Sequence, residues 1–145
     1  MTVLPSIKLF KPSSLGTQDY WSTFYQSESR YIAENDDVME IWYATAVRVV
    51  LDIITTLNLL PDCQILDVGT GNGEFLINLH DMDFTQLSGT DYVKESVDLT
   101  LKRMKDSSIP AKVYLDDITD SQLTKSSTTL YMTRELSMLY CFQDH

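Results

Sequence analysis

Three glycines at alternate positions, with acidic residues around them, form the part of this sequence best suited to chemistry. The largely apolar run Gln64–Val68 is followed by Gly69, Gly71 and Gly73, and an apolar run resumes at Phe75. This order predicts a buried strand, a tight loop and a helix. Glycine permits positive φ and lets a ligand approach a backbone that has no Cβ atoms. The segment therefore predicts a ligand-binding turn, as at the cofactor corner of a doubly wound α/β sheet.

The spacing and charge of this loop bear on the class of ligand. A dinucleotide fingerprint has its third glycine one position later, where this chain has Glu74, and it points a helix N-terminus at a pyrophosphate. Acids stand on both sides, Asp67 before the loop and Glu74 after it, which suits a ligand with a cationic end better than a phosphate. A second predicted strand ends at Asp91. A carboxylate at that strand end is placed to accept both ribose hydroxyls of an adenosine.

Both segments resemble motifs of the class I methyltransferases that use S-adenosylmethionine. Residues 65–73, Ile-Leu-Asp-Val-Gly-Thr-Gly-Asn-Gly, resemble the first motif of that class. Residues 89–92, Gly-Thr-Asp-Tyr, resemble the second. The resemblance implies a Rossmann-like α/β sheet and S-adenosylmethionine as the cofactor. The rival interpretation, a nicotinamide oxidoreductase, is disfavoured by the glycine spacing and by the absence of a triad-like base.

The N-terminal part of the chain resembles a narrower family, the lysine methyltransferases that act on translation elongation factor 1-alpha. The residues that carry this resemblance are Ser14-Leu15-Gly16-Thr17, Tyr20-Trp21, Tyr25, Glu28 and Glu40-Ile41-Trp42. The resemblance extends from Ser13 to Leu123. It implies a protein-lysine N-methyltransferase whose substrate and partner is elongation factor 1-alpha.

The resemblance also implies which residues bind the cofactor. They are Trp21, Tyr25, Asp67, Gly69, Thr70, Gly71, Asn72, Gly73, Asp91, Tyr92, Asp117 and Ile118. In the family, the segment with Trp21 and Tyr25 folds over the cofactor, and aromatic faces suit a sulfonium cation. Asp117 is implied to lie beside the adenine amino group, with Ile118 on the ring, although an acid in such a loop is otherwise a helix cap.

Glu40 and Trp42 are the catalytic residues implied by the resemblance. An acid at the start of a helix is otherwise a partner for the helix dipole. The family has glycines flanking this glutamate, where this chain has Met39 and Ala44. No metal ligand set is predicted, because the two cysteines, Cys63 and Cys141, and the two histidines have no metal-binding spacing.

Helical and strand patterns alternate along the chain, which predicts an α/β protein. The predicted elements are a helix after Thr17, a helix over 38–60, a strand at 64–68, a helix over 74–82, a strand at 87–91, a helix from 93 to Ile109 and a strand at 111–115. The residues expected inside are Ile41, Val47, Val50, Ile54, Leu57, Phe75, Leu76, Leu79, Met82, Val93, Val97, Leu101 and Met104.

Three regions are predicted from these patterns. Residues 1–16 are expected to form a flexible arm, and 17–123 the N-terminal portion of a methyltransferase domain with about three parallel strands. Residues 124–145 depart from the family pattern, so a truncated or alternatively spliced form is expected, with an open edge on the first strand. The alternative is that Leu130–Thr133 lies along that edge. A catalytically inactive adenosyl-binding fragment or interaction protein is the corresponding alternative function.

Composition limits the class of partner. The 145 residues carry 11 basic and 21 acidic side chains, a net charge of −10, which argues against nucleic acid and permits steering toward a basic protein. An ordinary acidic protein is the simpler interpretation. The chain lacks a disulfide framework and a run of about 18 apolar residues. We therefore expect a cytoplasmic protein, monomeric if folded, that does not bind membranes.

Overall fold

The computed structural model describes residues 16–35, 37, 44–121, 123, 129–133 and 140–141. Helices and strands alternate along most of this part of the chain, as the sequence predicts. In chain order the elements are α1 (Gln18–Asn35), α2 (Ala44–Leu57), β1 (Gln64–Val68), α3 (Glu74–Asp81), β2 (Gln86–Asp91), α4 (Lys94–Asp106), β3 (Lys112–Leu115), a 3-10 turn (Ile118–Asp120), β4 (Thr129–Thr133) and β5 (Tyr140–Cys141).

The described strands form one sheet in the order β3-β2-β1-β4-β5. The first four of these run parallel, and β5 pairs antiparallel with β4. Val68 at the end of β1 pairs with Thr90 of β2, and Asp91 pairs with Leu115 of β3. The carboxyl ends of the three strands therefore meet at one edge. The predicted Rossmann-like α/β fold is confirmed.

Burial of β1 and α3 follows from their sequences. Ile65, Leu66 and Asp67 of β1 are all buried, as expected for a central parallel strand with neighbours on both sides. The apolar residues of α3 recur at helical spacing, and Phe75, Leu76 and Leu79 are buried. The core cluster also includes residues from other parts of the chain, namely Ile54, Phe84, Leu87, Met104 and Ile109.

Two residues expected inside are exposed. Leu57 is 46% exposed because α2 ends there, with Asn58 at φ +48°, instead of continuing to residue 60. Leu101 is 44% exposed. The inner face of α4 instead includes Ser96 and Thr100, both fully buried. A prediction that assigns inner positions from apolar residues alone does not identify such buried polar residues.

The expected open edge of β1 is also wrong. Strand β4 runs parallel to β1 over five residue pairs, from Gln64 with Thr129 to Val68 with Thr133. The alternative, a strand from the C-terminal region lying along this edge, is therefore the arrangement found. Pairing satisfies the backbone groups that an open edge would leave to solvent or to another chain. Within the described residues, no helix is long and apolar enough to cross a membrane.

Candidate functional site

The glycine loop, residues 69–73, joins β1 to α3. Its glycine φ angles are +75° at Gly69, +60° at Gly71 and +78° at Gly73, in the region that favours glycine. The N–H groups of Gly69 and Thr70 both donate to the carbonyl of Thr90 at 2.8 Å. The loop is thus tied to the end of the neighbouring strand β2.

A Cβ added to a loop glycine would meet different surroundings at Gly73 and at Gly69. A Cβ on Gly73 would lie 2.7 Å from Cγ2 of Thr100 and 3.2 Å from Cε of Met104, so this glycine lets α4 approach the loop. A Cβ on Gly69 would meet no atom within 4 Å. Gly69 therefore borders open space at the carboxyl end of β1, where open α/β sheets bind ligands.

Side chains on one face of α4 form hydrogen bonds with the carbonyl groups of the loop. The hydroxyls of Ser96 and Thr100 lie 2.7 and 2.8 Å from the carbonyl oxygen of Gly71. Arg103 donates from Nη1 to the carbonyl of Asn72 at 2.8 Å. The three α4 side chains share a face because they are spaced four and then three residues apart. They supply donors to loop carbonyls that would otherwise be buried without a partner.

Glu74, the acid that follows the loop, is engaged by the same helix. Nη2 of Arg103 lies 2.7 Å from Oε2 of Glu74, and the two side chains are 16% and 22% exposed. Glu74 is also in the first turn of α3, where a carboxylate interacts favourably with the helix dipole. The charge of Glu74 is therefore matched within the protein by Arg103, which argues against a role for Glu74 in binding a cationic ligand.

Asp91 is placed at the centre of the loop contacts. Its Oδ1 accepts from the N–H of Val93 at 2.9 Å, and its Oδ2 accepts from the N–H of Gly71 at 3.1 Å. The hydroxyl of Ser96 lies 2.8 Å from the same Oδ2, and its single proton is shared with the carbonyl of Gly71. An ionised carboxylate has about four acceptor positions. Asp91, 6% exposed, therefore has room for about one further donor.

Asn72 connects the loop to α1. Its Nδ2 donates to Oε1 of Glu28 at 2.9 Å, and its Oδ1 accepts from the N–H of Glu74 at 3.0 Å. Glu28 is 1% exposed and Asn72 is 5% exposed. Both ends of the Asn72 amide are therefore directed at the protein.

Further hydrogen bonds join α1 to the segment after β2. Nε2 of Gln18 donates to the carbonyl of Tyr92 at 2.8 Å, and Nε2 of Gln26 donates to Oε1 of Glu95 at 3.1 Å. The hydroxyl of Ser22 is the largest cause of a lowered pKa at Glu95, followed by the backbone N–H of Glu95 and then Gln26. Helix α1 thus packs on α4 and reaches the edge of the sheet where the glycine loop lies.

The aromatic side chains of α1 contact one another. Trp21 and Tyr25 are stacked, with ring centroids 6.1 Å apart, and Phe24 meets both edge-on. Thr17 caps this helix, since its Oγ1 accepts from the N–H of Tyr20 at 3.3 Å. This confirms the predicted helix start. Helix α1 thus carries both the stacked pair Trp21 and Tyr25 and Glu28, the residue that bonds the glycine loop.

The remaining predicted cofactor residues lie at the same sheet edge with different burial. Asp67 and Thr70 are fully buried, whereas Tyr92 is 40% and Ile118 is 55% exposed. Asp117 follows β3 and caps the 3-10 turn, and its Oδ1 accepts from the N–H and hydroxyl of Thr119. The Thr119 hydroxyl is the largest cause of a lowered pKa at Asp117.

The two predicted catalytic residues, Glu40 and Trp42, lie outside the described residues. The predicted residues of the glycine loop, Asp91 and Tyr92 are brought together. The structure adds four polar residues that were not predicted as site residues, although one of them, Glu28, belongs to the N-terminal resemblance. These are Glu28, Ser96, Thr100 and Arg103. The i, i+4, i+7 spacing of polar residues on the inner face of α4 is the one signal that would have indicated three of them. Among the residues that the structure describes, no group of His, Cys, Asp or Glu is arranged to hold a metal ion.

No family model matches this chain. The chain is 39% identical over 92 residues to EEF1A lysine methyltransferase 2 of Danio rerio, a match that covers 63% of this chain and 40% of that protein. It is 35% identical over 92 residues to EEF1A lysine methyltransferase 2 of Homo sapiens, covering 63% of this chain and 39% of the relative. It is 33% identical over 95 residues to protein-lysine N-methyltransferase EFM4 of Saccharomyces cerevisiae, covering 60% and 42%.

Solved methyltransferases share the fold. The magnesium protoporphyrin IX methyltransferase of Synechocystis PCC 6803, solved with bound SAH, superposes with a TM-score of 0.58 at 18% identity, covering 79% of this chain and 55% of that one. A SAM-dependent methyltransferase from Aquifex aeolicus gives a TM-score of 0.54 at 17% identity, covering 72% and 55%. The chain spans about 40% of the length of the curated relatives it matches. It therefore has the class I methyltransferase fold and is related in sequence to the EEF1A lysine methyltransferase 2 and EFM4 proteins.

Proposed function

We propose that this chain is an S-adenosylmethionine-dependent protein-lysine N-methyltransferase, or the cofactor-binding part of one, that acts on elongation factor 1-alpha. The observation that carries the proposal is the 39% identity over 92 residues to EEF1A lysine methyltransferase 2. The fold and the loop geometry support it independently, because both are typical of an adenosyl-binding site at the end of β1.

The residues present fit the cofactor. The space beside Gly69, where a Cβ would meet no atom within 4 Å, would admit the ligand to the loop backbone. Asp91 would accept one ribose hydroxyl, since the protein already uses most of its acceptor positions. This narrows the expectation from the sequence, which gave Asp91 both hydroxyls. Asp117 and Ile118 would hold the adenine, with Trp21, Tyr25 and Tyr92 as aromatic neighbours.

The chemistry requires a neutral amine held in line with the methyl group. When bound, S-adenosylmethionine supplies an activated methyl group that a neutral amine can displace. A lysine with a pKa of about 10.4 is mostly charged at pH 7, so the protein must desolvate it or remove its proton. Glu40 and Trp42 are the residues proposed for this acceptor side. Orientation of the two reactants would supply roughly 7–11 kcal/mol of the barrier reduction.

The charge of the chain is consistent with a basic protein partner. The net charge of −10 would raise the rate of encounter with a positively charged surface and would lower it for nucleic acid. The steering term weakens as ionic strength rises, because charges farther apart than about 8 Å are screened at physiological salt. A translation factor as substrate would place the protein in the cytoplasm, and we propose that location and a monomeric state.

The cofactor part of the proposal is tested by calorimetric titration with S-adenosylmethionine. Gly69→Ala should weaken binding at least tenfold, because its Cβ would project into the open space beside the loop. Gly16→Ala is the control for an added Cβ without backbone strain, since its Cβ also meets no atom within 4 Å and Gly16 lies outside the loop. Equal affinity in all three proteins would contradict the assignment of the loop.

A second candidate function is a chain that binds the cofactor without transferring methyl groups. The observation that favours it is the match to only about 40% of the length of each relative. Incubation of this chain, and of a full-length relative, with labelled cofactor and elongation factor 1-alpha separates the two functions. Cofactor binding with label transferred only by the full-length relative would select the second candidate, and label on nucleic acid alone would contradict both.

A further inference from the structure

Helix α1 buries a carboxylate where an apolar side chain would be expected. Glu28 is 1% exposed, and it is the only buried residue of α1. Phe24 and Tyr25, one turn before it on the helix, are half-buried aromatic residues. Removing a carboxylate from water is unfavourable unless hydrogen bonds replace the lost solvent. Packing of α1 alone therefore gives no reason for this residue type, and its hydrogen-bond partner becomes the relevant observation.

The partner of Glu28 is the amide of Asn72, 44 residues away in the glycine loop. Asn72 lies between Gly71 and Gly73, whose φ angles are +60° and +78°. Glycines on both sides give the peptide units that flank Asn72 more conformational freedom than other residues would. A side chain anchored at both ends, to Glu28 and to the N–H of Glu74, restricts that freedom.

We propose that Glu28 is a positioning residue that sets the conformation of the glycine loop and thereby couples the docking of α1 to cofactor binding. The identity of the ligand rests on the proposed function, whereas the effect of Glu28 on the loop conformation does not depend on it. Because coupling is reciprocal, a docked α1 raises cofactor affinity, and bound cofactor holds α1 on the sheet edge. The polarity of the pair is defined: Asn72 donates and Glu28 accepts.

That polarity permits a swap experiment. Asn72→Asp places two carboxylates at hydrogen-bond distance, and like charges in a buried site repel. Adding Glu28→Gln to this variant restores a donor–acceptor pair in the opposite direction, while the new carboxylate at position 72 still accepts from the N–H of Glu74. We expect Asn72→Asp to weaken S-adenosylmethionine binding at least tenfold and the double variant to return to within about threefold of wild type.

The second readout needs no ligand. Hydrogen exchange of the amides at 69–77 in the free protein should be faster in Asn72→Asp and should return toward the wild-type rate in the double variant. Amides of β2 serve as the internal reference, because a general loss of stability would accelerate both segments. Ser27→Ala is the control on α1: it removes a bond within the helix, to the carbonyl of Thr23, and should leave loop exchange unchanged.

The outcomes separate this inference from the proposed function. If wild type does not bind S-adenosylmethionine, the proposed function fails, and the loop exchange rates still decide the role of Glu28. A double variant as weak in binding and as fast in loop exchange as Asn72→Asp would overturn the inference. If Asn72→Asp does not fold, a folded double variant supports the inference, whereas a double variant that also fails to fold overturns it.

Discussion

Substitution of Gly73 by alanine should destabilise the protein more than the same substitution at Gly69, Gly89 or Gly16. Gly73 has φ +78°, and a non-glycine residue in that conformation costs about 1–2 kcal/mol. The new Cβ would also lie 2.7 Å from Cγ2 and 3.2 Å from Oγ1 of Thr100. Thr100 cannot rotate away without losing its bond to the Gly71 carbonyl, so overpacking adds about 1–3 kcal/mol.

Three other glycines separate the two contributions. Gly69 has φ +75° but open space, which predicts a loss of about 1–2 kcal/mol from strain alone. Gly89 has no positive φ, but its Cβ would lie 2.8 Å from Oγ1 of Thr70, so about 1–3 kcal/mol is expected from packing alone. Gly16 has neither feature, and its change should remain within about 0.5 kcal/mol.

The assay is equilibrium urea denaturation of wild type and the four alanine variants, followed by circular dichroism. We expect Gly73→Ala to lose about 2–5 kcal/mol in the free energy of unfolding. The order of the series matters more than any single value. A Gly73→Ala variant no less stable than Gly69→Ala would refute the contact with α4, because the two positions share the same backbone conformation and differ in their surroundings.

Two further predictions concern the polar contacts. Arg103→Lys should lose about 1–2 kcal/mol in urea denaturation, because a lysine lacks the planar guanidinium whose two nitrogens bond the loop carbonyl and Glu74 separately. Lys102→Met, at an exposed neighbouring position of α4, should change stability by less than about 0.5 kcal/mol, and equal losses in the two variants would contradict the two contacts of Arg103. Asp117 should titrate below its ordinary pKa of 3.8, so its contribution to the 3-10 turn is present above the unfolded-state pKa and is lost as pH falls through the lower folded-state pKa. Thr119→Val should raise the pKa of Asp117 in a carboxyl NMR titration, and an unchanged pKa would show that the Thr119 hydroxyl is not its main cause.

The sequence by itself determined the local order of strand, loop and helix at the site. Gln64–Val68, the glycines and the apolar spacing of α3 are contiguous, and each pattern depends on backbone preferences that act over a few residues. For the same reason the sequence predicted β2 and β3 within one residue of their observed starts. It failed at Leu57 and Leu101, where the end of α2 and the polar inner face of α4 depend on packing.

The tertiary structure alone decided which side chains hold the loop. Ser96, Thr100 and Arg103 are 25 to 31 residues from the carbonyls they bond, and Glu28 is 44 residues from Asn72. Periodicity identifies the side of a helix on which a residue lies, but it does not identify the partner on another element. The carboxylate of Asp91 shows the result: its position at a strand end follows from the sequence, whereas its remaining capacity for a ligand depends on donors that only the folded chain brings together.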